Sequence, residues 1–172
     1  MIKLLGDKDN ARKTMRAAGV PVTPGCDIVE SVEQAKEEAE KIGFPLLIKA
    51  RSGGGGKGIR RVDSIEQFEE ALLSASSEAQ SAFGDGACYI EKFIHPVKHI
   101  EMQLLCDKYG NIICLGEREC SVQRKNQKMI EESPSPALDE KTRKEMMIAA
   151  VKAAKAVNYV NAGTVEFLLD MD

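Results

Sequence analysis

Lys49-Ala50-Arg51-Ser52-Gly53-Gly54-Gly55-Gly56-Lys57-Gly58 is the stretch on which the reading of this chain turns. A basic residue ends an apolar run, Phe44 to Ile48, and nearly uninterrupted glycine follows. With no side chains in the way, such a loop can bring several backbone N–H groups against one anion, and the phosphates of a nucleotide are the obvious guest. Gly53, Gly55 and Gly58 satisfy G-x-G-x-x-G, but dinucleotide binding needs a helix to start at the loop, and Ile59-Arg60-Arg61-Val62 reads as strand. Walker A is excluded because Gly58 stands where Ser or Thr must follow the G-K pair. A kinase flap would carry its lysine after the glycines and would need H-R-D and D-F-G segments. Lys49 precedes the run, and both segments are missing from the sequence. The other reading, a flexible surface linker, seldom sits between two short strands of one packed unit.

Outward from the flap, helical and strand periods alternate, the pattern of an α/β (α+β) protein. On the N-terminal side, Asn10 is placed to cap a short helix closed at Gly19, and Val20 to Gly25 reads as a linker. Ser31 opens a helix in which Val32, Ala35, Ala39 and Ile42 recur at helical spacing before Gly43, and Phe44 to Ala50 is a strand. On the C-terminal side, Ser64 is placed to cap a helix carrying Ile65, Phe68, Leu72 and Ala75, and Cys88 to Ile94 returns to strand. His99 to Cys106 alternates, with Ile100, Met102 and Leu104 on one face and His99, Glu101 and Gln103 on the other. That polar face either lines a cleft or is an exposed sheet face. Asp107 to Asn111 is turn chemistry before a strand from Ile112 to Glu117. Asp139 opens a helix to about Val157, and Thr164 to Leu169 forms a last strand. Gln123-Arg124-Lys125-Asn126-Gln127-Lys128 is a cluster of donors, by itself a solvated basic loop or a weak polyanion patch.

Composition limits the classes of function. At 172 residues, 43% hydrophobic and 30% charged, the chain can hold one sizeable core or two small ones. A net charge of −3 gives no reason to expect nucleic acid or an anionic membrane as partner. No apolar run nears the roughly 20 residues that span a bilayer, and Met1 to Lys8 lacks the length of a signal h-region, so a cytoplasmic location is expected. The five cysteines include no C-x-x-C pair, which argues against a disulfide framework or zinc ribbon and for reduced, mostly buried thiols. His95 and His99 do not make a metal pair, since Pro96 prevents the helix that would align them. Glu166 lies among Val165, Phe167, Leu168 and Leu169, a costly place for a carboxylate unless it is paired or on a metal.

Seen together, Gly6-Asp7-Lys8, Ile48-Lys49-Ala50, the glycine flap, Tyr89-Ile90-Glu91-Lys92-Phe93, His99-Ile100-Glu101-Met102-Gln103, Gly116 to Arg124 and Gly163 to Leu168 carry a further signal. In this order, over essentially the whole chain, they resemble the motifs of biotin carboxylase. That ATP-grasp enzyme carboxylates biotin with bicarbonate, as a subunit or domain of acetyl-CoA, propionyl-CoA or pyruvate carboxylase. The resemblance implies the ATP-grasp fold, with a lid subdomain and an incomplete C-terminal part of the ATP-grasp sheet. Residues 1–21 would end an N-terminal domain, 22–93 would form the lid with its flap, and 94–172 would be the first half of the second subdomain. The chain is then expected to be a central fragment, inactive alone.

The resemblance also implies roles. Lys8 and Lys49 would contact ATP, with Gly55 and Gly56 of the flap at its phosphates; taken from its surroundings alone, Lys8 is as well read as a solvated surface lysine. Glu91, Lys92, Phe93 and Ile94 would form the hinge that recognises adenine, and His99 would reach the nucleotide. Lys128 would bind bicarbonate, with Gln123 close by in the catalytic set. Asn126 stands where bacterial relatives carry histidine at the nucleotide; asparagine still hydrogen-bonds but carries no charge. Glu166 would hold Mg²⁺ or Mn²⁺ on the ATP phosphates, a salt bridge being its alternative. The implied reaction is attack of bicarbonate on the γ-phosphate to give carboxyphosphate, followed by carboxylation of biotin on a carrier protein or domain that serves a carboxyltransferase, in a homodimeric parent enzyme. Two other readings stay open: another ATP-grasp ligase of the carbamoyl phosphate synthetase type, and a nucleotide-binding module without catalysis.

Overall fold

The computed structural model of the chain describes residues 8–52, 58–125 and 127–172. In chain order the first elements are α1 (Lys8–Ala17), α2 (Val32–Ile42), β1 (Leu46–Ala50), β2 (Ile59–Val62), a 3₁₀ turn (Ile65–Gln67), α3 (Phe68–Phe83) and β3 (Cys88–Lys92). Then follow β4 (Val97–Cys106), β5 (Ile112–Arg124), β6 (Gln127–Glu132), α4 (Glu140–Ala156) and β7 (Asn161–Asp170). The chain divides into two compact units, one holding residues 23–94 and the other residues 10–22 with 95–172. Each has its own sheet, and both sheets are antiparallel throughout. The alternating periods therefore resolve into the α+β form. Among the described residues no helix is long and apolar enough to cross a membrane.

In residues 23–94 the strand order is β2-β1-β3. The two-residue period of β1 sends Leu46 and Ile48 into a core with Val62, Phe68, Leu72, Ala75 and Ile90, closed by Ala35 and Ala39 of α2, and buries Ala50 on the same face. Full burial of a side chain such as Phe68 or Ile48 contributes about 1.5–3 kcal/mol. The same alternation leaves Lys49 on the opposite face. Helix α2 begins where the Ser31 hydroxyl accepts from the Gln34 N–H at 3.1 Å, and it ends at Gly43, whose φ is 78°. Ser64, by contrast, makes no cap bond: the 3₁₀ turn intervenes and α3 starts at Phe68. The expected strands are shorter than their apolar runs, starting at Leu46 and stopping at Lys92. The presumed linker is in part an edge cover. Lys92, Cys26 and Val29 N–H groups donate to Pro24, Ile90 and Cys88 carbonyls at 2.8, 3.0 and 3.0 Å, so residues 24–29 satisfy the free side of β3.

In the other unit the order is β6-β5-β4-β7. Ile100, Met102, Leu104 and Cys106 of β4 meet Met146, Ala150 and Ala154 of α4 on one face. Ala149 and Ala153 take Val20, with Met15 and Ala18 beside it. Asp139 caps α4 by accepting from the Thr142 N–H at 2.7 Å. Asn10 is no cap, since α1 begins at Lys8 and the Asn10 carbonyl accepts from the Thr14 hydroxyl inside the helix. Cys88, Cys106 and Cys120 are buried free thiols, Cys26 and Cys114 partly exposed ones.

The largest departure is at β5. It runs to Arg124 and turns at Lys125, with φ 50°, into β6, so the donor cluster is the end of a hairpin and not a solvated loop. An edge strand rich in charge looks like a loop in sequence, because charge is how edges are kept from pairing further. Between the pairs Met102–Glu117 and Leu104–Cys114 one residue of β4 faces two of β5, a bulge at Gly116, whose φ is 108°. The bulge sets the faces of everything after it: Glu117 and Glu119 go to the core side, where Arg143 and Lys98 each bind one at 2.7 Å, and Arg118 goes to the open side.

Candidate functional site

On the open side of the four-stranded sheet, Glu166 of β7, Glu101 of β4 and Arg118 of β5 form one cross-strand row, each directly opposite the next. Lys128 reaches in from β6 and donates to Glu101 Oε2 and to Glu166 Oε1, both at 2.5 Å. Arg118 takes the other oxygen of Glu101, Oε1, through Nε at 2.7 Å, and donates to Gln103 Oε1 at 3.0 Å. Gln103 is itself tied to the Gly163 carbonyl at 3.0 Å. The Glu101 side chain is only 5% exposed and that of Glu166 is 53% exposed, so one carboxylate is structural in character and the other open to solvent. Burial pushes the Glu101 carboxyl up, but its bonds to Lys128 and Arg118 outweigh this and hold it below its ordinary value. Burial pulls the Lys128 ammonium down, and the bonds to Glu101 and Glu166 more than reverse it.

The polar face of β4 therefore exists, but it is neither bare nor uniformly exposed. His99 rests its Nδ1 2.9 Å from the Cys120 sulfur, and its backbone N–H donates to the Ser121 hydroxyl at 3.0 Å. Gln123 is exposed, lies opposite Lys128 in the β5–β6 ladder and donates to the Cys120 carbonyl at 2.9 Å. Glu166 shows why its apolar neighbours misled: β7 alternates, so Val165, Phe167 and Leu169 point to the core while Glu166 points out. Its desolvation cost is accordingly small. The salt-bridge alternative is realised in this structure. Metal ligation by Glu166 remains compatible with it. No group of three or more His, Cys, Asp or Glu converges among the described residues. A cation that keeps its waters and takes most other ligands from phosphate oxygens needs only one or two protein carboxylates, and the solvent-open Glu166 fits such an ion.

Residues 23–94 hold a second constellation. Lys49 and Glu91 stand diagonally across β1 and β3 and form an ion pair, with side chains 24% and 11% exposed. Lys92 does not share that pair: its ammonium donates to the Gly43 and Phe44 carbonyls at 3.1 and 2.9 Å, at the C-terminal end of α2 where a cation is favoured. Phe93 lies under the Arg61 guanidinium, 4.4 Å from the ring centre, and Ile94 is half-buried. Both ends of the glycine run are fastened. Arg51 and Ser52 donate to Asp85 at 2.8 and 2.9 Å, and the Gly58 N–H donates to Glu78 at 3.2 Å. Lys8 opens α1, and its side chain, with Gly55, Gly56 and Asn126, lies outside the described residues.

The structure thus brings Lys128 to Glu166 and Lys49 to Glu91, pairs that no sequence spacing announces. Glu101 and Arg118 were passed over as site residues, although both lie in the quoted motifs. The signal that could have found them is charge on the face of β4 opposite its apolar residues, but in β5 the bulge at Gly116 and the core-side Glu117 and Glu119 hide that period.

Residues 7–172 match the family model of the carbamoyl-phosphate synthase L chain, ATP binding domain. The chain is 55% identical over 170 residues to a biotin carboxylase of Nostoc, covering 98% of this chain and 38% of that protein. It is 54% identical over 170 residues to biotin carboxylase 1 of Bacillus subtilis, again covering 98% and 38%. A biotin carboxylase–β,γ-ATP complex from Campylobacter jejuni superposes with a TM-score of 0.93 at 51% identity, covering 99% of this chain and 38% of that one. The biotin carboxylase domain of Hydrogenobacter thermophilus 2-oxoglutarate carboxylase, solved with magnesium ADP, ADP and bicarbonate, gives 0.91 at 48% identity, covering 99% and 38%. The chain spans about two fifths of the length of these relatives.

Proposed function

The chain belongs to the family of the carbamoyl-phosphate synthase L chain ATP-binding domain, and from that premise we propose that it is the ATP-binding part of a biotin carboxylase, an ATP-dependent ligase of the ATP-grasp kind. The observation that carries the reading is Lys128, one ammonium held over two opposed carboxylates on an open sheet face. A small planar anion needs such a cation, and an accessible carboxylate beside it suits a metal-bound nucleotide.

In this reading Lys128 leaves one carboxylate to hold bicarbonate, whose oxygen forms a bond to the γ-phosphorus of ATP as the bond to ADP breaks. The product, carboxyphosphate, supplies the carboxyl group taken by the biotin ureido nitrogen of a carrier protein or domain. Lys49, paired with Glu91 beside the flap, contributes charge toward ATP, and Glu91, Lys92, Phe93 and Ile94 contribute the adenine hinge, Lys92 through its backbone because its ammonium is engaged elsewhere. His99, Gln123 and Asn126 add donors, and Lys8, Gly55 and Gly56 further nucleotide contacts. Glu166 would hold Mg²⁺ or Mn²⁺, which when bound neutralises charge on the phosphate oxygens. Catalysis of the phosphoryl step is then positioning and charge neutralisation. Residues 22–93 act as the lid in this scheme, residues 94–172 as part of the second ATP-grasp subdomain and residues 1–21 as the connection to an N-terminal domain. The carboxyltransferase partner and a homodimeric parent belong to the same proposal. So does the inactivity of the 172-residue chain alone, supported by its share of its relatives' length.

ATP cleavage by the full-length protein tests the reading. Dependence on bicarbonate and stimulation by free biotin are expected. Cleavage driven by an amine donor and indifferent to biotin would instead favour a ligase of the carbamoyl phosphate synthetase type, and binding of ATP without any cleavage a nucleotide-binding module.

A further inference from the structure

Lys128 has a partner that it never touches. The two oxygens of Glu101 are divided between two cations, Oε1 to Arg118 and Oε2 to Lys128. Arg118 ties three neighbouring strands together. Its own strand is β5, its guanidinium binds Glu101 and Gln103 of β4, and its Nε lies 3.4 Å from Glu131 of β6. Gln103 is held in turn by the Gly163 carbonyl of β7. The fork is therefore fixed at both ends, and its side chain is 31% exposed.

We propose that Arg118 is a positioning residue that acts through Glu101 to keep Lys128 in the shared place between Glu101 and Glu166, where it can be given up to an anion. Two opposed carboxylates offer four oxygens to two cations, and Arg118 occupies one oxygen of the buried member. If Arg118 is removed, the buried Glu101 has Lys128 as its one remaining partner and draws it in, away from the exposed Glu166. The ammonium then neutralises a buried charge whose desolvation makes it hard to abandon, and it is no longer available to bicarbonate. A lysine at position 118 cannot substitute, because a single ammonium does not span Glu101 and Gln103 as a planar fork does. The functional half of this inference rests on the biotin carboxylase reading; the positional half does not.

Two measurements on the full-length protein separate them. Steady-state kinetics of Arg118→Met and Arg118→Lys are expected to show a bicarbonate KM raised about tenfold or more in both, with the ATP KM within twofold of the parent. Crystal structures of the same variants are expected to show Lys128 Nζ on both oxygens of Glu101 and out of hydrogen-bond reach of Glu166. Arg118→Lys keeps the charge and guards against a variant that fails to fold. If Lys128 stays bridged to Glu166 in Arg118→Lys, or if its bicarbonate KM is unchanged, the positioning role is overturned. A parallel rise in the ATP KM would also overturn it, since that is the mark of general structural damage. Parent enzyme whose ATP cleavage ignores bicarbonate overturns the reading, while a displaced Lys128 would still uphold the positional half.

Discussion

Glu101 and Glu166 stand directly opposite each other across the β4–β7 ladder, two carboxylates side by side with Lys128 shared between them. Like charges in that relation destabilise a sheet unless a cation intervenes. The pair is thus a standing demand for positive charge on this face, and its satisfaction by a single ammonium has consequences for stability and for chemistry.

Replacing Lys128 by Met leaves Glu101 buried beside a like charge and is expected to destabilise the chain by about 2 kcal/mol. Glu101→Gln in the same molecule should recover much of that loss, because it removes the repulsion and keeps the hydrogen bond to Arg118. Urea denaturation of both single variants and the double variant measures the coupling. Strict additivity of the two changes would show that the bridge carries no energy.

Glu166→Gln should behave differently. Its side chain is 53% exposed, so the fold should tolerate the change, with stability within about 0.5 kcal/mol of the parent. If Glu166 holds the metal, ATP cleavage in the full-length protein should fall at least tenfold and need more Mg²⁺ to recover. A Mg²⁺ titration superimposable on that of the parent would return Glu166 to a surface ion pair.

At the far end of the flap, Gly58 has φ 69°, and a Cβ built on it would lie 2.6 Å from the Cβ of Ala50. Gly58→Ala is therefore expected to cost about 1–3 kcal/mol through strain and overpacking against β1. The same substitution should weaken ATP binding in the full-length protein, since the Gly58 carbonyl accepts from the Ala50 N–H next to Lys49. Calorimetric titration with ATP, beside a thermal melt, reads both effects.

Acid should unfold the chain through carboxylates whose folded partners hold them below their ordinary values. The Lys98 ammonium, opposed by burial and helped by Ser135 and Ser121, holds Glu119 below its ordinary value of 4.5, and the Asp139 cap is lowered by its bonds to Thr142. In each case the folded pKa is depressed, so the stabilisation is complete above the unfolded pKa and is lost as pH falls through the folded one. Stability should be level near neutrality and decline from about pH 4.5 downward. Glu119→Gln should flatten the decline in urea midpoints measured between neutral and acid pH, and an unchanged slope would remove Glu119 from the account.

The sequence by itself determined what depends on near neighbours. Ser31 and Asp139 cap their helices because an N-cap needs only the next turn, and Gly43 ends one because only φ is at stake. The alternation of β4 put Ile100, Met102 and Leu104 on one face and His99, Glu101 and Gln103 on the other, and the motifs in order were enough to single out the family. Tertiary structure decided the rest. One extra residue at Gly116 chose which acidic side chains of β5 face the core and which basic one faces the site, and a one-residue change of register reverses every side chain beyond it. Lys128 meets Glu166 and Lys49 meets Glu91 because strands distant in the chain pair side by side. Such pairs follow from register and pleat, which no local pattern of residues encodes; hence a cluster that reads as a loop of donors becomes, once folded, an edge strand presenting one cation to two carboxylates.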